Sequence, residues 1–165
     1  GQGGGPVGGR FTKGGGAEQE RAIARAIDAG INYFDTAALY GNGESEKNLG
    51  RVLKALKANV VVGTKVRLSA EHRANVGKGI EQGMNDSLAR MGRDHVDLFQ
   101  LHNPLVATDG GDKLAIDIAL NEVAPALEKL RKAGKTRFIG FSGVGETAAL
   151  HQAIDSKLFH TLQVV

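Results

Sequence analysis

Several residues whose side chains can do chemistry stand where apolar runs of this chain give out. Asp35 lies at the end of INYFDT (31–36), Lys65 at the end of NVVVGTKV (59–66), His102 closes HVDLFQLH (95–102), and Ser142 closes TRFIGFS (136–142). Tyr40 follows Asp35 by five positions. Carboxylate, ammonium, imidazole, hydroxyl and phenol are groups that donate, accept or exchange protons. A lysine at a strand end can also capture a carbonyl covalently. Taken singly, each has a plain structural reading: Asp35 as a helix-capping carboxylate, Lys65 as a snorkelling surface lysine, His102 as a hydrogen-bonded core histidine, Tyr40 as an amphipathic rim residue. Four polar or ionisable groups in register at one end of a sheet are harder to attribute to packing.

That register depends on the elements. The strand candidates above, with HTLQVV (160–165) and a sixth in the opening GQGGG, are mostly β-branched or aromatic and apolar at consecutive positions, as strands buried on both faces are. Helical patterns alternate with them. AEQERAIARAIDAG places Ile23, Ala26 and Ile27 on one face and stops at Gly30. SEKNLGRVLKAL repeats Leu49, Val52, Leu53 and Leu56, with Glu44 and Glu46 at its start, Lys54 and Lys57 at its end and Ser45 as the expected N-cap. A third stripe is Ile80, Met84, Leu88 and Met91, closed by Gly92. Pro125 is expected in the first turn of a helix carrying Leu127 and Leu130, because a proline deeper inside would break it. ETAALHQAIDS carries Ala149, Leu150, Ala153 and Ile154 on a fifth face.

Strands alternating with helices mean repeated βαβ units, a parallel sheet and right-handed crossovers. A doubly wound dinucleotide fold would place its chemistry in a glycine-rich loop after the first strand. GQGGGPVGG is glycine-rich, but it lacks the G-x-G-x-x-G order leading directly into a helix, and it reads as a permissive turn. A (β/α) barrel instead draws its functional residues from the C-terminal ends of several strands, which is the pattern here.

Composition excludes several classes. The chain has 165 residues, 41% hydrophobic and 24% charged, enough apolar material for one sizeable core. Its 21 Lys and Arg are interspersed with 18 Asp and Glu for a net charge of +3, a solvated surface rather than a nucleic-acid stripe. With no cysteine there is no disulfide, thiolate metal site or cysteine nucleophile, which fits a reducing compartment. No apolar segment is long enough to span a bilayer, and the opening residues carry no signal-peptide core. A cytoplasmic protein is expected. His72, His95, His151 and His160 form no pair at metal-ligand spacing, so they read as structural or surface residues and no metal is expected.

FDTAALYGNGESEKNLG, VVVGTKV, DHVDLFQLHNP and GKTRFIGFSG together resemble the aldo-keto reductases, in matching order and spacing across nearly the whole chain. The resemblance implies a TIM-type (β/α)8 barrel, of which this chain covers about the first six strands. It implies an oxidoreductase interconverting a carbonyl and an alcohol with NADP or NAD, and a catalytic tetrad falling on Asp35, Tyr40, Lys65 and His102. Ser142 and Gln163 are then expected at the nicotinamide carboxamide, while Gly143 replaces the asparagine that often follows such a serine. On this reading Tyr40 is the general acid for reduction and the base for oxidation, with its pKa lowered by Lys65, which Asp35 holds charged and oriented. His102 would fix the carbonyl oxygen by a hydrogen bond.

Two other functions share these residues: a cofactor-binding regulatory subunit on the same fold, and a Schiff-base enzyme using Lys65. A charged, salt-bridged lysine is a poor nucleophile, which counts against the second. The sequence stops inside the sixth expected strand, whereas a whole barrel takes eight and typically ~250 residues. Residues 1–165 are therefore expected to be one domain, the N-terminal portion of a longer barrel. NPLVATDGGDKLAIDIAL, after His102, is the one long loop available for a pocket wall.

Overall fold

The computed structural model describes residues 2–3, 12 and 15–164. In chain order the elements are β1 (Gln2–Gly3), α1 (Gly16–Asp28), β2 (Tyr33–Asp35), α2 (Glu44–Ala55), β3 (Val61–Val66), a 3-10 turn (Glu71–Asn75), α3 (Val76–Met91), β4 (Val96–Leu101), β5 (Leu105–Val106) and β6 (Leu114–Ala115). There follow α4 (Ile116–Ile118), a π turn (Ala119–Val123), α5 (Ala124–Lys132), β7 (Thr136–Ser142), α6 (Thr147–Asp155) and β8 (Thr161–Gln163). Six strands form one sheet in the order β1-β2-β3-β4-β7-β8, every pair parallel. The glycine-rich run expected to form a turn lies, from residue 4 to residue 11, outside the described residues.

Alternation along each strand assigns the two faces. Phe34, Val62, Val66, Phe99, Leu101, Ile139 and Phe141 are buried in a core shared with Ile23 of α1, Leu49, Val52 and Leu53 of α2, Ile80, Met84 and Leu88 of α3, and Leu127 of α5. The opposite face carries the polar set. Asp35 pairs in register with Gly63, Lys65 with Gln100, Gln100 with Gly140, and Ser142 with Gln163. Residues paired in register point to one face, so these side chains share a layer.

One local expectation is corrected. Ser45 is not the N-cap of α2; that position is Gly43, with a left-handed φ of 88°, and Ser45 is buried inside the first turn. Its hydroxyl lies 2.7 Å from Thr36 Oγ1, so a core contact uses the side chain that the sequence offered as a cap. Pro125 stands where expected, in the first turn of α5, the helix that carries Leu127 and Leu130. Helical backbone already runs from Ile116, and it widens into the π turn Ala119–Val123 immediately before the proline. A proline lacks the N–H that an ordinary turn needs, and a π turn is a known way to accommodate such a defect.

Candidate active site

Each side chain of the site is delivered by the C-terminal end of a parallel strand, where the chain leaves the sheet and the next helix begins. Asp35 is the last residue of β2, Lys65 the penultimate residue of β3, His102 the residue after β4, and Ser142 the last residue of β7. Lys65 is 2% exposed, so its ammonium must find partners inside the protein. It donates to Asp35 Oδ2 at 2.6 Å and to the carbonyl oxygen of Thr36 at 2.9 Å. The same cation stands 5.2 Å from the centroid of the Tyr40 ring. Tyr40 in turn meets His102 edge to face, with ring centroids 5.8 Å apart at 84°. The fold thus brings Asp35, Tyr40, Lys65 and His102 together.

Gln163, on β8, reaches the same carboxylate: its Nε2 donates to Asp35 Oδ2 at 3.2 Å. Its Oε1 is buried and has no partner among the described residues, which leaves an acceptor open for a ligand. Ser142 is buried directly opposite Gln163 in the strand register. These two fit an amide-bearing ring, one side offering an acceptor and the other a hydroxyl. Gly143 contributes no side chain, and its N–H is already donated to Gln163 O at 2.7 Å. A Cβ at that position would meet the side chains of Val164 at 2.9 Å and Leu162 at 3.0 Å.

Burial dominates the electrostatics. His102 has its pKa lowered from 6.5 to about 4, first by burial and then by the neighbouring cations Lys65 and Arg67, so its imidazole is neutral around pH 7. Lys65 is also lowered, by burial first, with Asp35 opposing that shift. The phenol of Tyr40 is raised, by burial and then by the charge of Asp35. This differs from the sequence expectation that Lys65 would lower it. The reason is geometric: the ammonium lies over the ring and directs its described hydrogen bonds at Asp35 and Thr36, not at the phenolic oxygen.

Sequence reasoning passed over three side chains. Tyr33 donates its hydroxyl to Asp35 Oδ1 at 3.2 Å. Gln100, fully buried beside Lys65, has both amide atoms without a partner among the described residues. Glu46 is fully buried behind the sheet, accepting from Thr64 Oγ1 at 2.6 Å and from Arg90 Nε at 2.5 Å. Tyr33 could have been found, since it sits two positions before Asp35 and so on its face.

The long segment after His102 is built rather than merely connecting. Asn103 is buried and exchanges hydrogen bonds with the backbone of Leu68, Arg73 pairs with Asp109 at 2.6 Å, and Arg67 pairs with Asp112. On the other side Leu105 exchanges backbone hydrogen bonds with Val144 and Glu146. The rim of the site is therefore stapled to the loops after β3 and β7. The other histidines stand apart from it: His95 pairs with Asp94, His72 with Ser69, His160 packs against Phe138, and His151 is exposed. Among the described residues no group of three His, Cys, Asp or Glu could hold a metal ion.

A parallel sheet of βαβ units with acid, phenol, lysine and histidine meeting at its C-terminal end has the layout from which (β/α) barrels build their functional sites. The chain belongs to the aldo/keto reductase family, whose model matches residues 2–164. Among curated proteins it is 35% identical over 125 residues to L-galactose dehydrogenase of Arabidopsis thaliana, covering 74% of this chain and 37% of that protein. It is 33% identical over 147 residues to D-threo-aldose 1-dehydrogenase of a Pseudomonas species, covering 74% and 43%. Among solved structures, an aldo-keto reductase from Klebsiella pneumoniae in complex with NADPH superposes with a TM-score of 0.72 at 30% identity, covering all of this chain and 53% of the other. The chain thus spans less than half the length of those two curated relatives, and its six-stranded sheet follows part of the family's (β/α)8 barrel.

Proposed function

We propose that this chain is the N-terminal portion, and a single domain, of an NADP- or NAD-dependent aldo-keto reductase that interconverts a carbonyl and an alcohol. Tyr40 is its general acid and base. The observation that carries this reading is the Asp35–Lys65 ion pair, 2.6 Å long and almost wholly buried, with its cation 5.2 Å from the Tyr40 ring. A buried ion pair costs more to desolvate than it returns unless it does something else, and here it fixes a positive charge where an oxyanion would develop.

Reduction needs a proton donor at the carbonyl oxygen as negative charge builds there. Tyr40, with its pKa raised, holds its proton at neutral pH and is ready to give it. His102, neutral because its pKa is about 4, can donate a hydrogen bond to that oxygen but holds no spare proton. The division of labour follows: His102 orients, Tyr40 protonates. In the oxidising direction Tyr40 must first become a phenolate, against burial and the charge of Asp35. Ser142 and Gln163 would hold the nicotinamide carboxamide, and the bound nicotinamide supplies or accepts the hydride. Lys65, with two hydrogen-bond acceptors engaged, is placed as a cation rather than as a nucleophile.

The sugar dehydrogenases among the relatives make aldoses the first substrate class to test, with simple aldehydes and ketones beside them. A cytoplasmic setting goes with this reading, supported by the absence of cysteine; no described helix is long and apolar enough to cross a membrane. The deciding experiment is Tyr40→Phe in the full-length protein. Carbonyl reduction should fall by about two to four orders of magnitude, the usual contribution of a positioned proton donor, while cofactor affinity stays within about twofold. A variant with wild-type turnover would assign the proton to another group and end this reading.

A further inference from the structure

Asp35 receives more hydrogen bonds than its ion pair requires. Lys65 Nζ and Gln163 Nε2 both reach Oδ2, and Oδ1 is taken by the hydroxyl of Tyr33. Tyr33 lies on the same face of β2, two residues back, so its ring has to lean along the sheet to reach that oxygen. The path crosses Gly63, which is in register with Asp35 on β3. A Cβ built on Gly63 would stand 2.6 Å from the Tyr33 hydroxyl oxygen and 3.2–3.3 Å from two ring carbons. Any side chain there would expel the hydroxyl from where it meets Asp35. Gly63 has no left-handed backbone to accommodate, so the close approach alone accounts for the glycine.

We propose that Tyr33, seated in the notch left by Gly63, is a positioning residue that holds Asp35 by Oδ1 so that Oδ2 faces Lys65. The proposal rests on the reductase reading above. Tyr33 remains a donor at working pH, since burial and then the charge of Asp35 raise its phenol well above the ordinary range. The titratable groups that act on it are Asp35 on its own strand and Tyr40 in the loop after β2, while Lys65 on β3 and His102 after β4 act on Asp35. Glu46 acts on Lys65 from behind the sheet, and Arg67 acts on His102 from the rim.

Two consequences follow from removing the hydroxyl. The carboxylate loses one of the donors that draw its charge away from Tyr40, whose phenol that charge already disfavours ionising. It also becomes free to rotate off Lys65. The first change makes the Tyr40 phenolate harder to form, and alcohol oxidation requires that phenolate.

The test is Tyr33→Phe in the full-length enzyme, which keeps the ring and removes only the donor. The pH midpoint of alcohol oxidation should move upward and its kcat near neutral pH fall about three- to tenfold, with cofactor affinity unchanged. In the cofactor-free protein, NMR of tyrosine labelled at Cζ should show the Tyr40 tyrosinate appearing at higher pH than in the wild type. Gly63→Ala should reproduce the shift by displacing the hydroxyl, and it should add no further shift in a Tyr33→Phe background. A merely structural tyrosine would leave both midpoints unmoved, and that result overturns the proposal whether or not Gly63→Ala folds. Tyr40→Phe is run alongside to separate the two claims. If Tyr40→Phe is inactive while Tyr33→Phe behaves as wild type, the positioning role alone is lost; if Tyr40→Phe keeps full activity, the reductase reading and this role fall together.

Discussion

His102 shows how one residue ties the chemistry of the site to the stability of the fold. Its imidazole is held neutral, with a pKa lowered from 6.5 to about 4 by burial and the nearby cations. Below pH 6.5 an unfolded chain takes up a proton that the folded chain refuses until about pH 4, so the contribution of this residue is complete above 6.5 and lost as pH falls towards 4. The loss amounts to roughly 2 kcal/mol once the water that reaches part of the ring is allowed for. Urea denaturation at pH 7.5 and 4.5 should show it, and His102→Asn should flatten that part of the pH profile; an equally steep profile in the variant would place the acid sensitivity elsewhere. Asp35, Lys65 and His102 were legible in the sequence because each interrupts an apolar run at a strand end, a pattern that survives without any knowledge of contacts. The period of the strand puts Tyr33 on the face of Asp35, but nothing in INYFDT marks it as more than strand material. Its role depends on a glycine thirty positions away, a pairing that only the strand register reveals.

At the scale of elements, helix α2 is what keeps strands β2 and β3 in the relation the site needs. Ser45 meets Thr36, the neighbour of Asp35, and Glu46 meets Thr64, the neighbour of Lys65, all four side chains fully buried. One helical turn therefore grips both of these strands from behind. Arg90 of α3 completes the arrangement by pairing with Glu46 at 2.5 Å. Glu46→Ala should cost about 3 kcal/mol, because it leaves Thr64 and Arg90 without their shared partner. Chemical denaturation measures this, and a loss below about 0.5 kcal/mol would mean the grip is dispensable. The contact between α2 and α3 is equally specific: a Cβ on Gly50 would lie 2.6 Å from Met91 Cα, so Gly50→Ala should lower stability by about 1–3 kcal/mol through overpacking. Helix stripes such as Ile80, Met84, Leu88 and Met91 were readable from period alone, and all four are buried. Ser45 misled because a local rule placed it at the helix start, whereas α2 is capped by Gly43 and the hydroxyl of Ser45 meets Thr36 in the interior.

Over the whole molecule, the sheet has two outer strands, β1 and β8, which are not hydrogen-bonded to each other among the described residues. Apolar side chains are exposed around the second of them: Leu162 at 38%, Val164 at 69%, and Ile154 and Leu158, both at 47%, on α6 and the turn that follows it. The face that carries the site has its own exposed pair, Val61 and Phe138. A parallel strand edge with unpaired backbone groups and apolar neighbours is a template for association with another chain. Residues 1–165 produced by themselves should therefore form oligomers whose size grows with concentration in analytical ultracentrifugation. They should bind NADPH at least about tenfold more weakly than the full-length protein and reduce carbonyls slowly or not at all, because a sheet free to flex misplaces catalytic groups. The Asp35–Lys65 contact spans only β2 and β3, which pair directly, and should survive; the reach of Gln163 to Asp35 spans the sheet and should be the first to loosen. Weak binding should thus accompany an intact ion pair, seen as a Lys65 ammonium signal protected from solvent exchange. A monodisperse monomer with ordinary turnover would show that six strands alone hold these groups in place.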